Sequence, residues 1–411
     1  MHIKVLFTKY FAVIDFSQMT FEMTTLCHSE VPAEESVTLK GLIYDVIYPF
    51  PVKLCIVSLW FGVLSLCSFL PAKDELPVVP PGAIAPMDTL FHRPLSRGLD
   101  LVYQDRFPAA IALFDSLAQV FPDHPAPNFY LAATYQTWMS SYRFNGFQEE
   151  LEANVQRAID KGNELLDVRR DDPWLNFYIG AAYGYRAFFR VRSFNWIGAY
   201  LDGKKGIGNF HRALEKEPAL YDVYLGLGSY HYWRTARSKF IRVIAFWMSD
   251  KRDFGLKQID FSIRHGRYCP AESFLVLATA QFDYGQYQAA LQTLQEFHRD
   301  HRPVMSSRYL EGRLRIEAGE WERVEQIFRD LLARLEPYPY PSVGYQVECQ
   351  YWIARALTEE GEAAAALELC RTALALAETR DKDGELESQF ESFDDIKSML
   401  EDLEKALLQK R

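Results

Sequence analysis

The sequence is poor in cysteine and poorer still in cysteine patterns. Six Cys fall at 27, 55, 67, 269, 349 and 370 of 411 residues, with no C-x-x-C and no tight spacing. That pattern indicates neither a thiolate zinc site nor a disulfide framework. No metal and no cofactor are expected, and Cys269, Cys349 and Cys370 should be buried as small apolar residues. Basic charge is in the minority: 45 Lys and Arg face 55 Asp and Glu, a formal net charge of −10. General nucleic-acid binding needs a dominant basic surface, so no nucleic-acid partner is expected. Catalytic frames are missing as well. Gly203-Lys-Lys-Gly-Ile-Gly208 lacks the G-x-x-x-x-G-K-[ST] spacing, and neither H-E-x-x-H nor G-x-S-x-G occurs. The chain does not read as an enzyme, and it has no catalytic candidates.

What is present is repetition. Asn128-Phe-Tyr-Leu-Ala-Ala-Thr-Tyr135 returns as Asn176-Phe-Tyr-Ile-Gly-Ala-Ala-Tyr183, and more loosely as Asp222-Val-Tyr-Leu-Gly-Leu-Gly-Ser229. One helix face is written three times: large apolar, small, then aromatic one turn on. Such self-similarity marks repeats that pack on their neighbours rather than one central core. From Leu95 the first pair shows a small residue, another twelve on, an aromatic four further, and a proline at the exit: Gly98, Ala110, Phe114, Pro122. Gly98 and Ala132 lie 34 apart, as do Ala278 and Gly312. The pattern resembles the tetratricopeptide repeat (TPR), and bacterial exported proteins of that superfamily in particular. The resemblance covers about residues 95–378. It implies an all-α solenoid of about seven helix pairs, its central pairs expanded by longer helices or loops. Residues 379–411 then supply a polar linker and a capping helix, with Ser392 at the N-cap and Phe393, Ile396, Met399, Leu400, Leu403 and Leu407 on one face.

The N-terminal part reads differently. Residues 1–51 show no sustained helical period and are expected to be a disordered leader or a mis-annotated start. Residues 52–72 hold the uncharged run Leu54–Leu70 between Lys53 and the acidic Asp74 and Glu75. This order reads as a signal peptide or membrane anchor, and Leu64-Ser-Leu-Cys67 resembles a lipoprotein box. An exported protein, periplasmic or membrane-anchored at the cell envelope, is the expectation. Residues 73–94 carry prolines at 77, 80, 81, 86 and 94 and are expected to be an extended, Pro-rich spacer.

Two sites are in view. In the TPR family the first helix of each pair lines the concave face. The resemblance therefore implies a non-catalytic scaffold that binds a protein or peptide there, with Phe129, Gln136, Trp174, Phe177, Asp222, Tyr232, Tyr309, Arg313 and Arg355 exposed. The alternative comes from charge. Between Arg186 and Arg242 eleven Lys and Arg meet four Asp and Glu, interleaved with twelve aromatics. Arg forks suit carboxylates and phosphates and stack on rings. A pocket for a small anionic ligand would use Arg186, Arg190, Arg192, Tyr232, Arg234 and Arg237.

Overall fold

A computed structural model describes residues 75–192, 195–236 and 249–409, without the side chains of Arg192 and Trp196. The leader and apolar run (1–51 and 52–72) lie outside these residues. Among the described residues, no helix is long and apolar enough to cross a membrane. Fifteen helices occur there and no strand. They make seven consecutive pairs: α1 (His92–Val102) with α2 (Phe107–Val120), α3 (Pro125–Tyr142) with α4 (Gln148–Val168), α5 (Pro173–Arg192) with α6 (Trp196–Lys216), α7 (Val223–Ala236) with α8 (Arg252–His265), α9 (Pro270–Asp283) with α10 (Tyr287–Asp300), α11 (Met305–Glu317) with α12 (Trp321–Leu335), and α13 (Val343–Glu359) with α14 (Ala363–Ala377). A last helix, α15 (Phe393–Gln409), packs on α13 and α14. The Ser392 hydroxyl accepts the Asp395 N–H, and Ile396, Leu400, Leu403 and Leu407 are its buried stripe.

Each helix meets its neighbour where the sequence places its smallest residues. Phe114 and Phe328 are fully buried, each beneath a glycine of the preceding helix. A Cβ at Gly98 would fall inside the Phe114 ring, and one at Gly312 would lie 2.8 Å from Phe328 Cε2. Burial of such rings contributes roughly 1.5–3 kcal/mol apiece. At α7 and α8 the approach is closer still, backbone to backbone: a Cβ at Gly228 would lie 2.7 Å from the carbonyl oxygen of Gly255. The expansion of the second and third pairs is helix: α3 to α6 run to 18, 21, 20 and 21 residues, whereas α9 to α12 have 14, 14, 13 and 15. Cys269, Cys349 and Cys370 are buried free thiols.

Four of the turns inside pairs place a left-handed residue two positions before the second helix. Gly285 (φ 79°), Gly319 (φ 69°) and Gly361 (φ 87°) supply it. In the first pair that position is Asp105 (φ 56°), a residue that tolerates this conformation better than most. Its carboxylate reaches across to the start of α11, accepting the Met305 N–H at 2.9 Å.

Burial raises the Asp105 pKa to about 6, opposed by the Met305 N–H and by Arg334. A raised acid pKa favours the folded state below the unfolded value, near 4. That advantage is lost as pH climbs through 6. Asp105→Asn keeps the backbone conformation and an acceptor for Met305 but removes the titration. Its stability relative to wild type should therefore rise from pH 4 to pH 8, by on the order of 2–3 kcal/mol. Denaturant midpoints at the two pH values measure this; an unchanged difference would sink the assignment.

The pairs turn so that early and late inner faces meet. Trp138 Nε1 donates to the Tyr338 hydroxyl at 2.6 Å, and Tyr142 stacks on Tyr338 at 3.8 Å. The stretch ahead of α1 joins this closure. Arg267 Nε donates to Ala85 O (2.8 Å), the Tyr178 hydroxyl donates to Asp88 Oδ2 (2.6 Å), and the Asp88 N–H donates to the Tyr268 hydroxyl (3.1 Å). Ala85, Asp88 and Phe91 are buried. The expected extended spacer is thus corrected: residues 75–91 form no helix but turn at 81–82 and 89–91, and from Ala85 the stretch is seated on α5 and the α8–α9 turn rather than free.

Candidate functional site

The densest polar construction lies where α3, α11 and α13 converge. Arg143 caps the C-terminus of α3 in the left-handed region (φ 56°), which turns its side chain inward. Its guanidinium lies over the rings of Tyr345 (3.8 Å) and Tyr309 (4.5 Å) and pairs with Glu348 of α13. The other oxygen of Glu348 accepts the Tyr309 hydroxyl at 2.7 Å and lies 3.5 Å from Arg313 Nη1 of α11. Arg143, Arg313 and Glu348 are 6%, 5% and 1% exposed. Burial opposes the charge of Glu348, but the guanidiniums of Arg143 and Arg313 outweigh it and hold the carboxyl below its ordinary range. Two cations and one anion leave this wall one positive charge in excess.

A segment of the chain itself supplies the missing anion. Between α14 and α15 residues 384–391 run along the wall, bridged at Glu385 and bent at 389–391. The Asn145 N–H donates to Gly384 O (2.9 Å) and the Leu386 N–H to Arg143 O (3.1 Å), with an antiparallel bridge between Phe144 and Glu385. Glu385 accepts the N–H groups of Val343 and Gly344 (2.7 and 2.8 Å) at the start of α13. Favourable placement of a carboxylate at a helix N-terminus explains that seat. Ser388 Oγ meets the Tyr309 hydroxyl at 3.1 Å, and Phe390 packs on Phe282 and Tyr309. Glu391 takes Arg313 in a two-pronged ion pair, the geometry guanidinium favours. With the segment in place about 10 Å³ remains beside it.

The residues expected to be exposed on the inner face are mostly covered. Phe129, Gln136, Phe177, Asp222, Tyr232, Tyr309 and Arg313 are all buried, at 8% exposure or less. Phe129 packs on Phe177, Tyr178 and Tyr185, and Trp174 on Tyr178 and Tyr268. Asp222 accepts the N–H groups of Arg267, Tyr268 and Cys269, which clamps the α8–α9 turn. The Tyr232 hydroxyl, with one proton to give, lies 2.7 Å from both Ala280 O and Asp283 Oδ2 in the core. Arg355, with its side chain 37% exposed, pairs with Glu359 and lies over Trp321. Coverage by distant parts of the same chain is the physical reason for the difference.

The basic window does not gather into one pocket either. Arg186 and Arg190 do line a common cleft of ≈ 530 Å³ with Gln148, Glu152, Gln156, Phe189 and Asn195. Both, however, pair with Asp202, at 2.8 and 2.7 Å. One carboxylate between two guanidiniums, with Glu152 nearby, leaves little excess charge for an anion. Arg234 lies over Tyr230 and is not part of that lining, and Tyr232 points into the core. Arg237 and the side chain of Arg192 lie outside the described residues.

Consecutive helix pairs, small-residue contacts and aromatic wedges define a TPR-like α-solenoid, here with an inner face occupied by its own chain. Solved structures similar to it include the APC/C hetero-tetramer Cut9–Hcn1, at 12% identity and TM-score 0.45 over 69% of this chain. The C-terminal part of a TPR repeat-containing protein from Cytophaga hutchinsonii matches at 14% identity and TM-score 0.37, covering 70% of this chain and 97% of the other. PilW, a type IV pilus biogenesis factor, matches at 16% identity and TM-score 0.40, covering 58% and 91%. The chain spans 46% of the Cut9–Hcn1 chain it matches. No sequence-family model and no curated protein sequence matches it.

Proposed function

We propose that this protein is a non-catalytic interaction scaffold, held at the cell envelope, whose inner face takes a segment of a partner protein. The observation that carries the reading is the grip on residues 384–391. The wall holds this segment by main-chain hydrogen bonds, an ion pair and aromatic contacts, the kinds of contact by which a solenoid or a sheet edge takes up a peptide. The envelope placement rests on the apolar run Leu54–Leu70 with Lys53 before it and Asp74 and Glu75 after it.

One experiment addresses both parts. A photo-crosslinking residue is placed at Gly146, exposed beside the groove, and another at the exposed Arg323 of α12 as a control. Irradiated cells are then fractionated. A discrete protein adduct from position 146 alone, in the envelope fraction, is expected. No adduct from 146 above the control would end the scaffold reading; an adduct confined to the cytosol would end the envelope placement.

A further inference from the structure

The path of residues 378–392 is longer than its connection requires. Helix α15 packs directly on α14, and the turn from α13 to α14 is made by residues 360–362 alone. A connection of that size would join α14 to α15. The chain instead leaves α14, enters the groove, makes every contact there that a bound peptide would make, and returns to begin α15.

The groove also requires its occupant. Without Glu391, the buried Arg313 keeps only a share of Glu348, at 3.5 Å, a carboxylate already paired with Arg143. An uncompensated buried cation is strongly unfavourable, so whatever replaces the segment must bring a carboxylate to Arg313. It must also bring an aromatic ring to the seat between Phe282 and Tyr309 and an extended backbone beside residues 143–145. A second copy is poorly placed to offer its own segment. Glu387 accepts the first N–H of α15, from Phe393, at 2.9 Å, and only Ser392 separates the segment from that helix. A swap would have to carry α15 along and uncover α13 and α14.

We infer that residues 384–391 are an internal pseudo-ligand that holds the groove closed, and that the partner segment displacing them is acidic and aromatic and carries a Phe–Glu pair. This rests on the scaffold reading above and adds its regulation and the chemistry of its ligand. A tethered segment competes at an effective concentration on the order of millimolar, so the groove stays shut to weak or sparse ligands.

The test uses the full chain and a fluorescent peptide of its own sequence 383–392, Asp-Gly-Glu-Leu-Glu-Ser-Gln-Phe-Glu-Ser. The wild type should not bind it at micromolar concentration. The double variant Phe390→Ala, Glu391→Gln, with the latch loosened, should bind at least tenfold more tightly. Binding should vanish for a peptide in which every Glu is Lys, and for the double variant further changed by Arg313→Met. If the double variant is too unstable to titrate, addition of the peptide should raise its melting temperature, and the Lys peptide should not. Equal binding of both peptides, no binding and no thermal rescue, or a latch-dependent dimer by light scattering would each overturn the proposal. A protein adduct at Gly146 without acidic-peptide binding would leave the scaffold reading standing and remove this one.

Discussion

Glu348→Leu is expected to destabilise the protein by about 3–5 kcal/mol, the usual cost of stripping the partner from a buried charge. The substitution leaves Arg143 over Tyr345 with no anion, and Arg313 dependent on Glu391 alone. Glu348→Gln should recover part of the loss, because its amide oxygen still accepts from one of the two donors, Arg143 or Tyr309. The double change Glu348→Leu, Arg143→Met should be less damaging than Glu348→Leu alone, since an apolar pair needs no counter-charge. Guanidinium chloride unfolding followed by circular dichroism measures all three. A single-variant loss under about 1 kcal/mol would show that the ion network is solvated and marginal.

Asp222→Ala should be comparably severe. One carboxylate accepts three consecutive backbone N–H groups, from Arg267, Tyr268 and Cys269, and is 2% exposed. Its removal orphans those donors in the interior, at about 1–3 kcal/mol each before relaxation. The turn it clamps carries Tyr268 to Asp88 and Arg267 to Ala85, so the segment ahead of α1 should loosen too. Amide exchange resolves this: the amides of Asp88 and of residues 267–269 should lose protection together, while those of α11 and α12 keep theirs. Uniform loss across the chain would mean that the clamp is not local.

The helix pairs were legible because their signal is local. Gly98 with Phe114, and Gly312 with Phe328, are contacts between adjacent helices, and spacing alone betrays them. The capping stripe of α15 was readable on the same grounds. Tyr309 and Arg313 were placed on the right helix, and Asp222 beside the start of its own, with the wrong surroundings. A position in a repeat says which way a side chain faces, and nothing in the repeat says that a segment some 40 to 80 residues away lies over it. Arg186 and Arg190 were read as free cations because a count of charge over residues 186–242 includes Asp202 without saying that it faces both of them. The stretch ahead of α1 was read by composition. Proline content reports extension, whereas the seat of that stretch is set by Arg267, Tyr268 and Tyr178.

The closure of early on late pairs has a consequence for how the protein is made. Trp138 waits for Tyr338, 200 residues later, Asp105 for Met305 and Arg143 for Glu348. A ribosome adds roughly 5–20 residues per second, so the inner edge of α3 stays uncovered for roughly 10–40 s after it emerges. During that interval Phe107 and Phe147 pack on Trp138, Tyr142 and Phe144, but the ring faces that Tyr338 and Tyr340 take stay open. Unlike an open repeat array, this chain cannot finish its first pairs as it is synthesised, and its N-terminal third must be kept from its neighbours until the C-terminal third arrives.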